Sequence, residues 1–220
     1  MRKTLLVLCL LLLGGCNMVV TKAPLFAKSD TVRVPQLRPG VWIEQSDKPC
    51  DLDVSKPLVD WPDCGKGTIV LDGKLGGYNT DANGKKSLET VDTVIAGGDP
   101  RVIQVRMTDL GVKGVGDMPL GPMYFYMAVR PTKTDAAGRI IAYVAWPTLC
   151  GPPPPQAAKT HAGGMRFGTL TPLPGLTMDK DENNCTTTSR DALRTAAAAS
   201  EKWTPPDTLT IEHWVRDGDR

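Results

Sequence analysis

Apolar residues recur along this chain in short runs that alternate with polar ones, and Gly, Pro, Asp and Asn fall between the runs. That is the pattern of short strands joined by turns. Leu37 to Gln45 reads as a turn, Arg38-Pro39-Gly40, leading into a strand at Val41-Trp42-Ile43. Thr68-Ile69-Val70-Leu71 is a second short strand. Leu88 to Ala96 and Arg101 to Thr108 are two more, about the turn Gly97-Gly98-Asp99-Pro100, with alternation at Val105 and Met107. The clearest unit is a hairpin: Met123 to Val129, a turn at Asp135-Ala136-Ala137-Gly138, and a return over Ile140 to Trp146. Both arms are apolar without interruption, which predicts strands covered on both faces.

A single helix stands out near the end. Leu193, Ala196, Ala197, Ser200 and Trp203 share one face, Thr186 to Ser189 offer N-caps, and Asp191 sits in the first turn. The alanines allow close approach to a sheet. Pro205-Pro206 stops the helix, and Thr208 to Val215 is a final strand with Leu209, Ile211, His213 and Val215 on one face. Met165 to Leu170 is a further strand candidate. Many antiparallel strands followed by a late helix and one more strand predict an α+β fold, mainly antiparallel sheet, in a single domain over residues 37–220. Residues 17–36 show no periodicity and carry Pro24 and Pro35, so 16–36 reads as a flexible tether.

The first fifteen residues have a different character. Arg2 and Lys3 precede an apolar run from Leu5 to Leu13. As a helix the run spans roughly 14 Å at about 1.5 Å per residue, whereas a bilayer core of about 30 Å needs roughly twenty residues. It is a signal h-region rather than a span. Leu13-Gly14-Gly15-Cys16 follows, and this resembles the lipobox of bacterial lipoproteins. The resemblance implies cleavage after Gly15 and a diacylglycerol on the Cys16 thiol, with the membrane as partner through that lipid. Asn17, where aspartate would imply inner-membrane retention, implies the periplasmic face of the outer membrane. Losing Arg2 and Lys3 brings the formal charge from +2 to about zero, which argues against a nucleic-acid partner.

Six cysteines divide by role. Cys9 leaves with the signal and Cys16 takes the lipid. Cys50, Cys64, Cys150 and Cys185 remain in an oxidising compartment, where two disulfides are expected. Of the three possible pairings, Cys50–Cys64 and Cys150–Cys185 close short loops. With no Cys-x-x-Cys and no histidine beside a cysteine pair, zinc is not expected.

Candidate chemistry is sparse. Asn79, Asp81 and Asn83 with Gly84 resemble the opening of an EF-hand-like calcium loop, but Lys86 and Thr90 break the pattern, and the Asn-Gly turn of a hairpin explains the segment. Asp179, Asp181 and Asn183 repeat the spacing without the glycine. His213 reads as a packed core histidine and His161 as a solvated loop residue. Gly111 to Gly116 lacks Walker spacing, and neither Gly-x-Ser-x-Gly nor His-Glu-x-x-His occurs. Trp42, Trp146 and Trp214 fall within strands, where packing is the default. No catalytic residue and no cofactor is assigned. The leading expectation is a non-enzymatic binding or envelope-assembly module whose partner is an envelope protein or a peptidoglycan-associated one. The alternative is an envelope hydrolase built from scattered acidic residues and histidine.

Overall fold

The computed structural model describes residues 17–45, 49–62, 64–65, 67–80, 83–106, 123–153, 170–179 and 184–219. Seven consecutive strands form an antiparallel meander: β2 (Gly40–Glu44), β3 (Gly67–Leu71), β4 (Lys74–Thr80), β5 (Lys86–Ala96), β6 (Arg101–Arg106), β7 (Tyr124–Thr134) and β8 (Ile140–Pro147). After helix α1 (Arg190–Ser200), the last strand β11 (Thr210–Arg216) pairs with β2 on one side and β8 on the other, and β7 pairs with β8. The eight strands therefore close into a barrel. A two-residue strand β1 (Val20–Thr21) adds to β7 where β8 departs, and β9 (Thr177–Met178) and β10 (Cys185–Thr186) make a small separate hairpin.

The expected mainly antiparallel fold with one late helix and a final strand is present, and closure into a barrel goes beyond it. Strand β4 was not anticipated. Its Gly76-Gly77 pair and polar ends hide it from an alternation reading, yet it pairs with β5 along its whole length.

The barrel lumen is filled by side chains. Trp42, Val70, Ile95, Ile103, Val129, Ile140 and Tyr143 are buried there, joined by Leu75, Phe125 and Met127. An eight-stranded barrel is just wide enough for such filling. Outside, two apolar faces need cover. The segment closed by the Cys50–Cys64 disulfide lays Leu58 and Trp61 over Val41 and Ile69. Gly67 permits this, because a Cβ there would stand 2.2 Å from Leu58 and 2.8 Å from Trp61.

On the β6–β8 side the cover is α1. Ser189 caps it, its hydroxyl accepting from the Ala192 amide. Leu193, Ala196, Ala197 and Ser200 are buried against Val102, Ala128 and Trp146. The alanines let the backbone approach until the Trp146 indole N–H donates to the Ala197 carbonyl at 2.9 Å. Strands β7 and β8 are thus covered on both faces, as their unbroken apolar runs predict.

Residues 17–36 do not behave as a flexible tether. Val19 and Phe26 are buried, and Thr21 meets the Tyr126 hydroxyl at 2.6 Å. The buried Gln104 side chain serves as a strand edge for this segment. Its Oε1 accepts from the Leu25 and Phe26 amides, and its Nε2 donates to the Phe26 carbonyl at 2.9 Å. The segment has no periodicity of its own because its partners are supplied by other elements. Replacing Gln104 by leucine is expected to lower stability by about 2 kcal/mol, through backbone groups left without partners, and to speed amide exchange at Leu25 and Phe26. Denaturant titration with exchange mass spectrometry measures both.

Candidate functional site

In the closed barrel, register decides which side chain of each strand looks inward. Tyr143, Glu212 and Glu44 are paired across β8, β11 and β2, so they form a row on the lumen face. Trp42 stands one inward position along from Glu44 on β2, its ring 5.4 Å from that of Tyr143 and tilted by 42°. The Tyr143 hydroxyl donates to Glu212 Oε2 at 2.7 Å. Burial raises the Glu212 pKa to about 7, the bond from Tyr143 opposes that rise, and the neighbouring Glu44 carboxylate adds to it. Burial likewise pushes the Tyr143 phenol well above its usual value, reinforced by the charge of Glu212. A protonatable carboxyl with a phenol donor and a second carboxylate can hold and pass a proton near neutrality.

Two pockets bear on what the barrel can accept. One of about 30 Å³ sits between Leu37, Val70, Leu75 and Ile95, room for about one water. The other, about 220 Å³, is a shallow groove outside the barrel. It is framed by Pro24, Phe26 and Lys28 of the N-terminal segment and by Asp92, Val94 and Arg106 of the wall. Small-molecule sites generally reach about 300–1,000 Å³, so neither pocket encloses a drug-sized ligand.

The expected disulfides Cys50–Cys64 and Cys150–Cys185 are both present. Cys16, the lipid-bearing candidate, lies outside the described residues, as do His161, Gly111 to Gly116 and the strand candidate Met165 to Leu170 apart from its last residue. In the calcium-like loop, Asn79 belongs to β4 and its amide donates to Glu89 at 3.3 Å. Asp81 is not described, and Gly84 takes φ +80° in the turn that leads into β5. Among the described residues no group of three or more His, Cys, Asp and Glu is placed to hold a metal. In the second loop, Asp179 caps the β9–β10 hairpin by accepting from the Asn184 amide at 3.2 Å, while Asp181 and Asn183 are not described.

His213 is not a core residue. It is exposed on the outer face of β11, opposite Ile43 and Ala142. Alternation correctly separates the two faces of this strand, but the lumen takes the more polar one, Thr210, Glu212 and Trp214. The indoles of Trp42, Trp61, Trp146 and Trp214 each donate to a backbone carbonyl, which matches packing roles. Sequence reasoning missed Glu212, Glu44 and Tyr143. The available signal was an acidic residue two positions before Trp214, on the face that alternation treats as solvent. No family model, curated protein or solved structure matches the chain.

Because Glu212 holds its proton more tightly in the folded barrel than in the unfolded chain, its stabilising contribution is full below about pH 4.5 and is lost as pH rises through about 7. Glu212→Gln keeps an acceptor for Tyr143 and removes the charge. Its stability is expected to be flatter between pH 5 and 8, exceeding the wild type's at pH 8 by on the order of 2 kcal/mol, since a tenfold change in proton affinity is about 1.4 kcal/mol. Urea titrations across that range measure the difference. His213→Ala, by contrast, is expected to change stability by less than about 0.5 kcal/mol, as for other exposed positions.

Proposed function

We propose that this chain is a lipid-anchored lipoprotein of the bacterial envelope, acting as a non-enzymatic binding or assembly module. The observation that carries the binding reading is the filled lumen. With Trp42, Tyr143 and their neighbours occupying the barrel and a shallow groove beside Phe26 outside it, among the described residues, recognition falls to the outer surface. The lipid reading rests on Leu13-Gly14-Gly15-Cys16 after a short apolar run, and two disulfides fit an oxidising compartment. The partner is a protein or a peptidoglycan-associated component of the envelope, reached from the periplasmic face of the outer membrane.

Cells supplied with radiolabelled fatty acid are expected to label the wild type, and Cys16→Ser is expected to abolish the label and free the domain from membranes. Undiminished labelling of that variant overturns the lipid reading. Crosslinking in intact cells is expected to trap a surface-bound partner.

A second reading, an envelope hydrolase, draws on one specific observation, the Glu44, Glu212 and Tyr143 row. It predicts that Glu212→Gln folds normally and loses the envelope phenotype. The binding reading predicts that the phenotype persists.

A further inference from the structure

Resting on the reading that Cys16 carries lipid, we infer that the domain is mounted flush on the bilayer, through a strand braced by the Cys150–Cys185 disulfide. A flexible spacer of some twenty residues, the expected 17–36, would let the domain wander roughly 25 Å from its anchor. The fold removes that spacer. Asn17 is itself nearly buried, its amide donating to the Gly151 carbonyl at 3.2 Å. Its carbonyl accepts from the Cys150 amide at 2.7 Å, and the Val19 amide donates to Thr148 at 2.9 Å. On the opposite side, the Met18 carbonyl accepts from the Cys185 amide at 3.1 Å, and the Asn184 side chain accepts from the Met18 amide at 3.3 Å.

Residues 17–19 are therefore the middle strand of three, antiparallel to 148–150 and parallel to the chain at Cys185. The two outer strands are those that the disulfide joins. Val19, Cys150 and Cys185 are fully buried at this junction. One peptide link, about 3.8 Å between Cα atoms, separates the braced strand from the lipidated residue.

The surface beside Asn17 consequently faces lipid headgroups. Among the described residues there, Gly151 packs against Thr171 and Pro172, and Pro152, Pro153 and Thr171 are exposed and carry no charge. With the braced strand one residue from the anchor, the partner that this rim fits is the membrane surface itself. The brace makes orientation, not mere attachment, the disulfide's contribution.

The test uses full-length lipidated protein in vesicles of phosphatidylethanolamine and phosphatidylglycerol. A spin label at Thr171→Cys reports proximity to the bilayer, and one at Val54→Cys, on the far cover, serves as control. The wild type is expected to show contact at Thr171 and none at Val54. A Gly/Ser insertion between Cys16 and Asn17 is expected to abolish the Thr171 contact. The double variant Cys150→Ser with Cys185→Ser is expected to raise amide exchange over residues 18–21 by tenfold or more while Val102 to Val105 stay protected. If that variant does not fold, the insertion variant carries the test. Equal Thr171 signals with and without the insertion, or unprotected amides at 18–21 in the wild type, overturn flush mounting. Fatty-acid labelling of the same preparation separates the two readings: labelled protein whose Thr171 is remote from lipid overturns the mounting alone, and unlabelled protein overturns both.

Discussion

The pairing of the last strand with both β2 and β8 is the constraint from which the rest of the architecture follows. Without β11, each of those strands presents a row of unpaired amides and carbonyls to water, and the meander is an open twisted sheet with two edges. With it, every strand of the barrel has neighbours on both sides, and the inward side chains are forced together at close quarters. Gly40 marks how tight the seam is, since a Cβ there would stand 2.1 Å from the Arg216 carbonyl oxygen. Arg38 reinforces it, its guanidinium lying 3.5 Å over the Trp214 ring while bonding to Asp217.

Closure also creates a need for cover. A barrel with apolar residues on both faces of its wall must shield the outer ones, and this chain does so with two separate layers, each held by one disulfide. The Cys50–Cys64 segment lies over β2 and β3, and the Cys150–Cys185 bridge ties the end of β8 to the approach to α1. The N-terminal segment fills the remaining gap by borrowing partners: Gln104 offers it an artificial strand edge, and Cys150 and Cys185 flank its first residues. A segment that looks like a linker is thereby part of the wall.

The lumen holds one departure from apolar packing. Glu212, with Tyr143 and Glu44, places ionisable groups where burial favours the neutral form of the first. Such placement costs stability at neutral pH unless the proton is kept, so the row is a natural place to ask whether the barrel does more than support its surface. The Tyr143 hydroxyl donates to Glu212, and Trp42 packs beside Tyr143 in the same lumen.

Local and covalent features were legible from the chain alone. The strands at 67–71, 101–106, 124–134 and 140–147, the Ser189-capped helix with its alanine face, and both disulfide pairings follow from alternation, capping chemistry and loop length. These properties depend on residues close in sequence. What only the tertiary structure decided was which face of each strand looks inward, because that depends on partners far away. Alternation at 209–215 marks two faces of β11, and the seam with β2, some 170 residues distant, turned the face with Glu212 and Trp214 into the lumen and left His213 in solvent. In the same way, Gly76 and Gly77 hid β4 until β5 supplied its ladder, and the segment from Asn17 to Gln36 acquired structure through hydrogen bonds to Thr148, Cys150, Cys185 and Gln104. Its own composition carries little trace of them, since most of the groups it contributes are backbone amides and carbonyls, which nearly every residue shares.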